Sequence, residues 1–131
     1  MAVKNIWLVD DDLPSRRLAD ISLQDAKVPC VITNAKDGKE AIEMLENCDE
    51  SPDVILLDIN MPVMDGFQFL KEYKNLPQAR SSNTKIYMLT TSMLEKDYKR
   101  AFASGVVKGY FEKPLNEQHI EEIFGGEEEI G

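Results

Sequence analysis

Four kinds of side chain with phosphoryl-handling chemistry stand where short apolar runs of this sequence end. The first run closes on Asp10, Asp11 and Asp12, the third on Asp58 with Asn60 two residues later, the fourth on Thr90 and Thr91, and the fifth on Lys113-Pro114. A carboxylate can act as a nucleophile and form an acyl phosphate, while an ammonium, a hydroxyl and a bound cation stabilise charge on the transferring phosphoryl oxygens. Asp58, Lys113 and Thr90 supply the first three of these groups. Carboxylates crowded together repel and raise at least one pKa unless a cation neutralises them. Hard oxygen donors completed by water and phosphate oxygens suit Mg2+, whereas calcium asks for more ligands.

Each residue alone also has a plain structural reading. An acid after a strand can cap the next helix, Thr90 can do the same, and Lys113 can be a surface charge. The ordered set of acid pair, acid, hydroxyl and lysine at the ends of the first, third, fourth and fifth strands is much more specific than any one of its members.

To bring these residues together the chain needs parallel strands. Apolar runs rich in β-branched residues at 6–9, 28–33, 54–57, 86–89 and 109–111 read as five strands. Segments with helical spacing at 14–26, 38–47, 66–74, 96–104 and 116–124 read as five helices between and after them. Residues 75–84, with Pro77, read as a polar loop. Strict alternation predicts an α/β fold with a doubly wound parallel sheet, helices on both faces, and ligands beyond the carboxyl ends of the strands. The division expected is one domain over 1–124 and an acidic flexible tail over 125–131 that carries Glu127, Glu128 and Glu129.

The composition bounds the function. With 131 residues, 43% of them hydrophobic and 30% charged, the chain matches one globular core. Fifteen basic against 24 acidic residues give a net charge of -9, which disfavours direct nucleic acid binding. No apolar stretch approaches the roughly 20 residues that span a bilayer, so no membrane role and a cytoplasmic location are expected. Cys30 and Cys48 have no metal-type spacing and read as packed free thiols. Trp7, inside the first strand, reads as core.

The motifs Leu8-Val9-Asp10-Asp11-Asp12, Leu56-Leu57-Asp58-Ile59-Asn60-Met61-Pro62-Val63-Met64-Asp65-Gly66, Met88-Leu89-Thr90-Thr91 and Gly109-Tyr110-Phe111-Glu112-Lys113-Pro114 resemble those of the response-regulator receiver domain of two-component signalling, over almost the whole chain. The resemblance implies a flavodoxin-like sheet of strand order 2-1-3-4-5 with five helices. It further implies Asp58 as phosphoacceptor, Asp11 as a direct Mg2+ ligand, Asp10 as a second acid holding the ion, and Asn60 as a backbone-carbonyl ligand. Thr90 would bond a phosphoryl oxygen, Lys113 would pair with the phosphate, Lys113-Pro114 would be a cis peptide, and Tyr110 would turn inward with Thr90 as a switch. Asp12 matches no such position and reads as a helix cap.

The only histidine, His119, falls on the last helix and reads as a solvated helical residue, so the phosphodonor histidine must belong to another protein. A sensor histidine kinase or a histidine phosphotransfer protein is the upstream partner implied, with an unknown output protein downstream. The surface that would change comprises helix 4, strand 5 and helix 5, with Asp97, Lys99, Arg100, Lys108 and Glu117 on its rim. The chain then acts as a phosphoacceptor and not as an enzyme. Two other readings stay open at this level: a phosphatase of the haloacid dehalogenase type, which would need an acid where Asn60 stands, and a degenerate receiver serving only as an interaction module.

Overall fold

The computed structural model describes residues 3–130. Strands β1 (Lys4–Val9), β2 (Cys30–Ala35), β3 (Val54–Leu57), β4 (Lys85–Thr90) and β5 (Val107–Glu112) form one parallel sheet in the order β2-β1-β3-β4-β5. This is the order 2-1-3-4-5. Five helices, α1 (Leu13–Asp25), α2 (Gly38–Asn47), α3 (Gly66–Lys74), α4 (Glu95–Ala103) and α5 (Glu117–Ile130), alternate with the strands. One helical turn, Gln78–Ser81, interrupts the loop expected at 75–84.

Alternate residues of each strand feed opposite faces of the sheet, as the two-residue period of a strand requires. Trp7, Val9, Ile55, Leu57, Ile86 and Met88 pack with Ala41 and Leu45 of α2, Phe69 and Leu70 of α3 and Ala101 of α4. Ile6, Leu8, Val54, Leu56, Tyr87 and Leu89 pack with Ala19 and Leu23 of α1 and with Ile120 and Ile123 of α5. All four residues of β3 are buried, because helices cover both sides of the central strand. Trp7 is core, as expected.

Helices α1, α2 and α3 begin on acidic caps. Asp12 accepts from the Ser15 N–H at 3.0 Å and Asp37 from the Glu40 N–H at 2.8 Å. Asp65 and Gln68 form a reciprocal capping box, each side chain bonded to the other's backbone N–H. Such a cap contributes about 1 kcal/mol and fixes where the helix starts.

Two of the boundaries that differ from expectation have a clear physical cause. β2 starts at Cys30 rather than at position 28, because α1 is still ending there. Lys27 adopts φ 59 and the Val28 N–H returns to the Leu23 carbonyl, while Pro29 has no N–H to give to a ladder. At the other end α5 continues to Ile130, past the helix end expected at 124, so the backbone over 125–130 is helical. Glutamates are good helix formers, which outweighs the two glycines. Among the described residues no helix is long and apolar enough to cross a membrane, and Cys30 and Cys48 are free thiols.

Candidate functional site

Parallel pairing delivers two carboxylates to one edge. Val9 of β1 lies opposite Leu57 of β3, so the next residues, Asp10 and Asp58, leave the sheet side by side. Backbone bonds hold both: the Asp58 N–H donates to the Val9 carbonyl and the Asp10 N–H to the Ala35 carbonyl, each at 3.0 Å. On the other side, the Lys113 N–H donates to the Thr90 carbonyl at 2.9 Å, which sets the lysine beside the end of β4. The Lys113-Pro114 peptide is cis.

Lys113 Nζ donates to Asp10 Oδ2 at 2.7 Å and to Asp58 Oδ2 at 3.0 Å. The cation between the two buried carboxylates is therefore the lysine itself, and the repulsion expected of bare acids is already offset. Burial pushes the Asp58 carboxyl pKa up; the Lys113 bond and charge pull against this, and the Asp10 charge adds to the rise. For Lys113 burial favours the neutral amine, but two carboxylates outweigh it and hold its pKa above the ordinary lysine value. The asymmetry has a simple origin. Lys113 has two anions to itself, whereas Asp58 shares one ammonium with Asp10.

Asp11 is exposed at the same rim, and one carboxylate oxygen each of Asp10, Asp11 and Asp58 lie within 4.8 Å of one another. Three hard oxygen donors at that spacing, one of them solvent-facing, match the needs of a small divalent cation that keeps several waters. Asn60 sits in the loop from β3 to α3, two residues beyond Asp58 and outside any strand.

That loop is tightly built. Gly66 donates its N–H to the Ile59 carbonyl at 2.8 Å, and a Cβ placed on Gly66 would lie 2.3 Å from the Asp58 carbonyl oxygen. The glycine reads from sequence as a turn residue; its close approach to the Asp58 backbone has no sequence signal beyond its place in the motif. Val63 in the same loop is held at φ 70 and is 75% exposed, a left-handed conformation that costs a side-chain-bearing residue about 1–2 kcal/mol.

Thr90 is fully buried and its hydroxyl accepts the Ser92 N–H at 3.2 Å. Ser92 in turn receives the Tyr110 hydroxyl on its backbone carbonyl at 3.0 Å and donates its own hydroxyl to Asp97 of α4 at 2.6 Å. Tyr110 is half-buried and meets the ring of Tyr98 edge-on at 5.3 Å. Thr90 and Tyr110 are thus joined through Ser92, a residue that carries no motif signal in the sequence. Of the expected rim residues, Lys108 borders an open groove of about 440 Å³ between α4, β5 and α5, together with Tyr98, Phe102 and Glu122. Arg100 belongs elsewhere: its guanidinium lies over the Phe67 ring, 4.2 Å from the centroid, facing α3.

His119 is not the solvated residue expected. It is half-buried, stacks on Phe111 at 4.5 Å, and accepts the Asn116 N–H on Nδ1 at 3.2 Å while Asn116 Oδ1 accepts the His119 N–H. Burial lowers its pKa below the ordinary imidazole value, against the opposite pull of Glu122 and Glu112. A folded-state value below the unfolded one places its stabilising effect above about pH 6.5, with loss as pH falls from there through the folded-state value. The His119 ring should therefore titrate below about 6.5 by NMR, and His119→Gln should lessen the fall in the urea midpoint between about pH 7 and about pH 5. A midpoint at or above the unfolded value would contradict this.

The sequence model of the response regulator receiver domain matches residues 6–124. The chain is 31% identical over 117 residues to the chemotaxis protein CheY of Halobacterium salinarum, covering 89% of this chain and 90% of that protein. It is 30% identical over 115 residues to the sensor histidine kinase CheAY of Helicobacter pylori, in a match that takes 88% of this chain and 14% of the kinase. It thus spans a small part of that relative's length. Among solved structures, the phosphorylated cyanobacterial phytochrome response regulator RcpA is similar with TM-score 0.78 at 32% identity, covering 97% of this chain and 93% of that one. The Mn(2+)-bound form of response regulator Rcp1 is similar with TM-score 0.74 at 28% identity, covering 95% and 91%.

Proposed function

The chain belongs to the response regulator receiver domain family of two-component signalling, and from that premise we propose that it accepts a phosphoryl group on Asp58 from a phosphohistidine of a partner protein. The observation that carries this reading is the buried Asp58 carboxylate held at 3.0 Å from Lys113 Nζ beside a second buried carboxylate. In the transfer an Asp58 oxygen forms a bond to phosphorus as the phosphorus–nitrogen bond of the donor breaks, and the leaving imidazole keeps the electron pair. The raised basicity of Asp58 makes its carboxylate the stronger nucleophile once ionised. Lys113 then turns part of its charge from the carboxylates to the new phosphoryl oxygens, and the Thr90 hydroxyl leaves the Ser92 N–H to donate to one of them.

Asp10, Asp11, Asp58 and the Asn60 carbonyl would hold Mg2+, which supplies positive charge to the phosphoryl oxygens when bound. The Mn(2+)-bound and phosphorylated structures among the similar proteins support both halves of this reading. The upstream partner would be a sensor histidine kinase or a histidine phosphotransfer protein. Movement of Thr90 would release or tighten Ser92, and with it Tyr110 and Asp97, so the output surface would be the groove of α4, β5 and α5. In this role the domain assists its own phosphorylation and is not a turnover enzyme. Incubation with acetyl phosphate tests the proposal: the chain should retain an acid-labile phosphoryl group in Mg2+ and not in chelator. Steady turnover of an aryl phosphate without a retained group would favour a phosphatase instead.

A further inference from the structure

One guanidinium near the acidic rim has no acidic partner. Arg16 stands half-buried on the first turn of α1, and among the described residues it makes no ion pair. Its Nη1 donates to the backbone carbonyl of Asp10, while its Nε is sealed from solvent without an acceptor. A buried N–H without a partner is destabilising, and an apolar side chain of the same length would avoid that cost. Such a group calls for a reason beyond stability.

The geometry supplies one. The carbonyl that Arg16 holds belongs to the peptide joining Asp10 to Asp11, so its orientation sets the direction in which both side chains leave the backbone. Asp10 is pinned at its other end as well, where Oδ1 accepts the Asp12 N–H at 2.9 Å and Oδ2 accepts Lys113 Nζ at 2.7 Å. Arg16 also borders a cavity of about 10 Å³ with Asp10, Ser15, Asp58 and Leu89, close to the room one water needs. A planar guanidinium reaching a carbonyl from a helix holds a direction that a lysine ammonium does not.

We propose that Arg16 is a positioning residue of the phosphoacceptor site, fixing the Asp10–Asp11 peptide so that both carboxylates keep their geometry when a phosphoryl group arrives on Asp58. The inference rests on the reading of Asp58 as acceptor. Its test uses Arg16→Met and Arg16→Lys, with the exposed neighbour Arg17→Met as control. Beryllofluoride is titrated in Mg2+ and followed by amide shifts, with the Asp10 carbonyl carbon shift and the melting temperature in chelator recorded alongside. Both Arg16 variants should bind about 10-fold to 100-fold more weakly, the range seen when a group supporting a site's ligands is removed. The Asp10 carbonyl shift should move in both and stay in Arg17→Met, which should bind like the wild type. Arg16→Met should melt no lower than the wild type, since the orphaned Nε–H is gone. Failure of the wild type to bind would refute the acceptor reading itself. With wild-type binding intact, the proposal on Arg16 is overturned by wild-type affinity in both variants, by full rescue in Arg16→Lys, or by an affinity loss that follows a matching fall in melting temperature.

Discussion

Lys113→Met should lose about 3 kcal/mol of stability in chelator, the low end of the range for removing one partner of a buried ion pair. Among the described residues the lysine is the one side chain bonded to both Asp10 and Asp58, and all three side chains are at most 14% exposed. Methionine fills the same space, so the loss measures charge rather than packing. Two buried carboxylates would then face each other without a counter-charge. Because a divalent cation at the Asp10, Asp11 and Asp58 oxygens would take over that role, Mg2+ should restore a larger share of stability in the variant than it adds to the wild type. Urea titrations with and without Mg2+ check both parts. Equal stability of the two proteins in chelator would mean that the lysine does not neutralise the pair.

The second large effect comes from a methyl group. Gly66→Ala places a Cβ 2.3 Å from the Asp58 carbonyl oxygen and 3.0 Å from the Ile59 Cα, and both neighbours are backbone. Neither can turn aside as a side chain would, so the loop must shift. A displacement of about 1 Å at a reacting group costs about 100-fold in rate. The overpacking itself costs about 1–3 kcal/mol. Acetyl phosphate labelling of Gly66→Ala should therefore slow by about 100-fold, with far-ultraviolet circular dichroism like that of the wild type. Wild-type labelling kinetics would show that the loop yields without moving Asp58.

Much of this site could be read from sequence because the acids, hydroxyl and lysine stand directly after strands, and parallel pairing turns strand ends into one edge. The strand alternation of βα units was legible for the same reason: β3 is a continuous apolar run, and Asp12, Asp37 and Asp65 mark helix starts. What escaped depends on three-dimensional neighbours. The partner of Lys113 in the free protein is a pair of carboxylates 103 and 55 residues away in sequence, which no local pattern reveals. Ser92 matters through its backbone as much as its hydroxyl, and a backbone carbonyl carries no residue signature. Arg100 and Lys108 look alike as surface charges, yet one lies over Phe67 and the other borders the groove of α4 and α5. The start of β2 is not legible in the sequence because Val28 has strand chemistry but closes α1.

The central claim, that Asp58 is the phosphoacceptor, meets its most direct test in mass spectrometry of the chain after acetyl phosphate and Mg2+, followed by mapping of the modified peptide. The account predicts one phosphoryl group, labile to acid and hydroxylamine, on the peptide that contains Asp58, and its absence from that peptide in Asp58→Asn. A group mapped to another residue in the wild type, or unchanged labelling of Asp58→Asn at the same peptide, would contradict it.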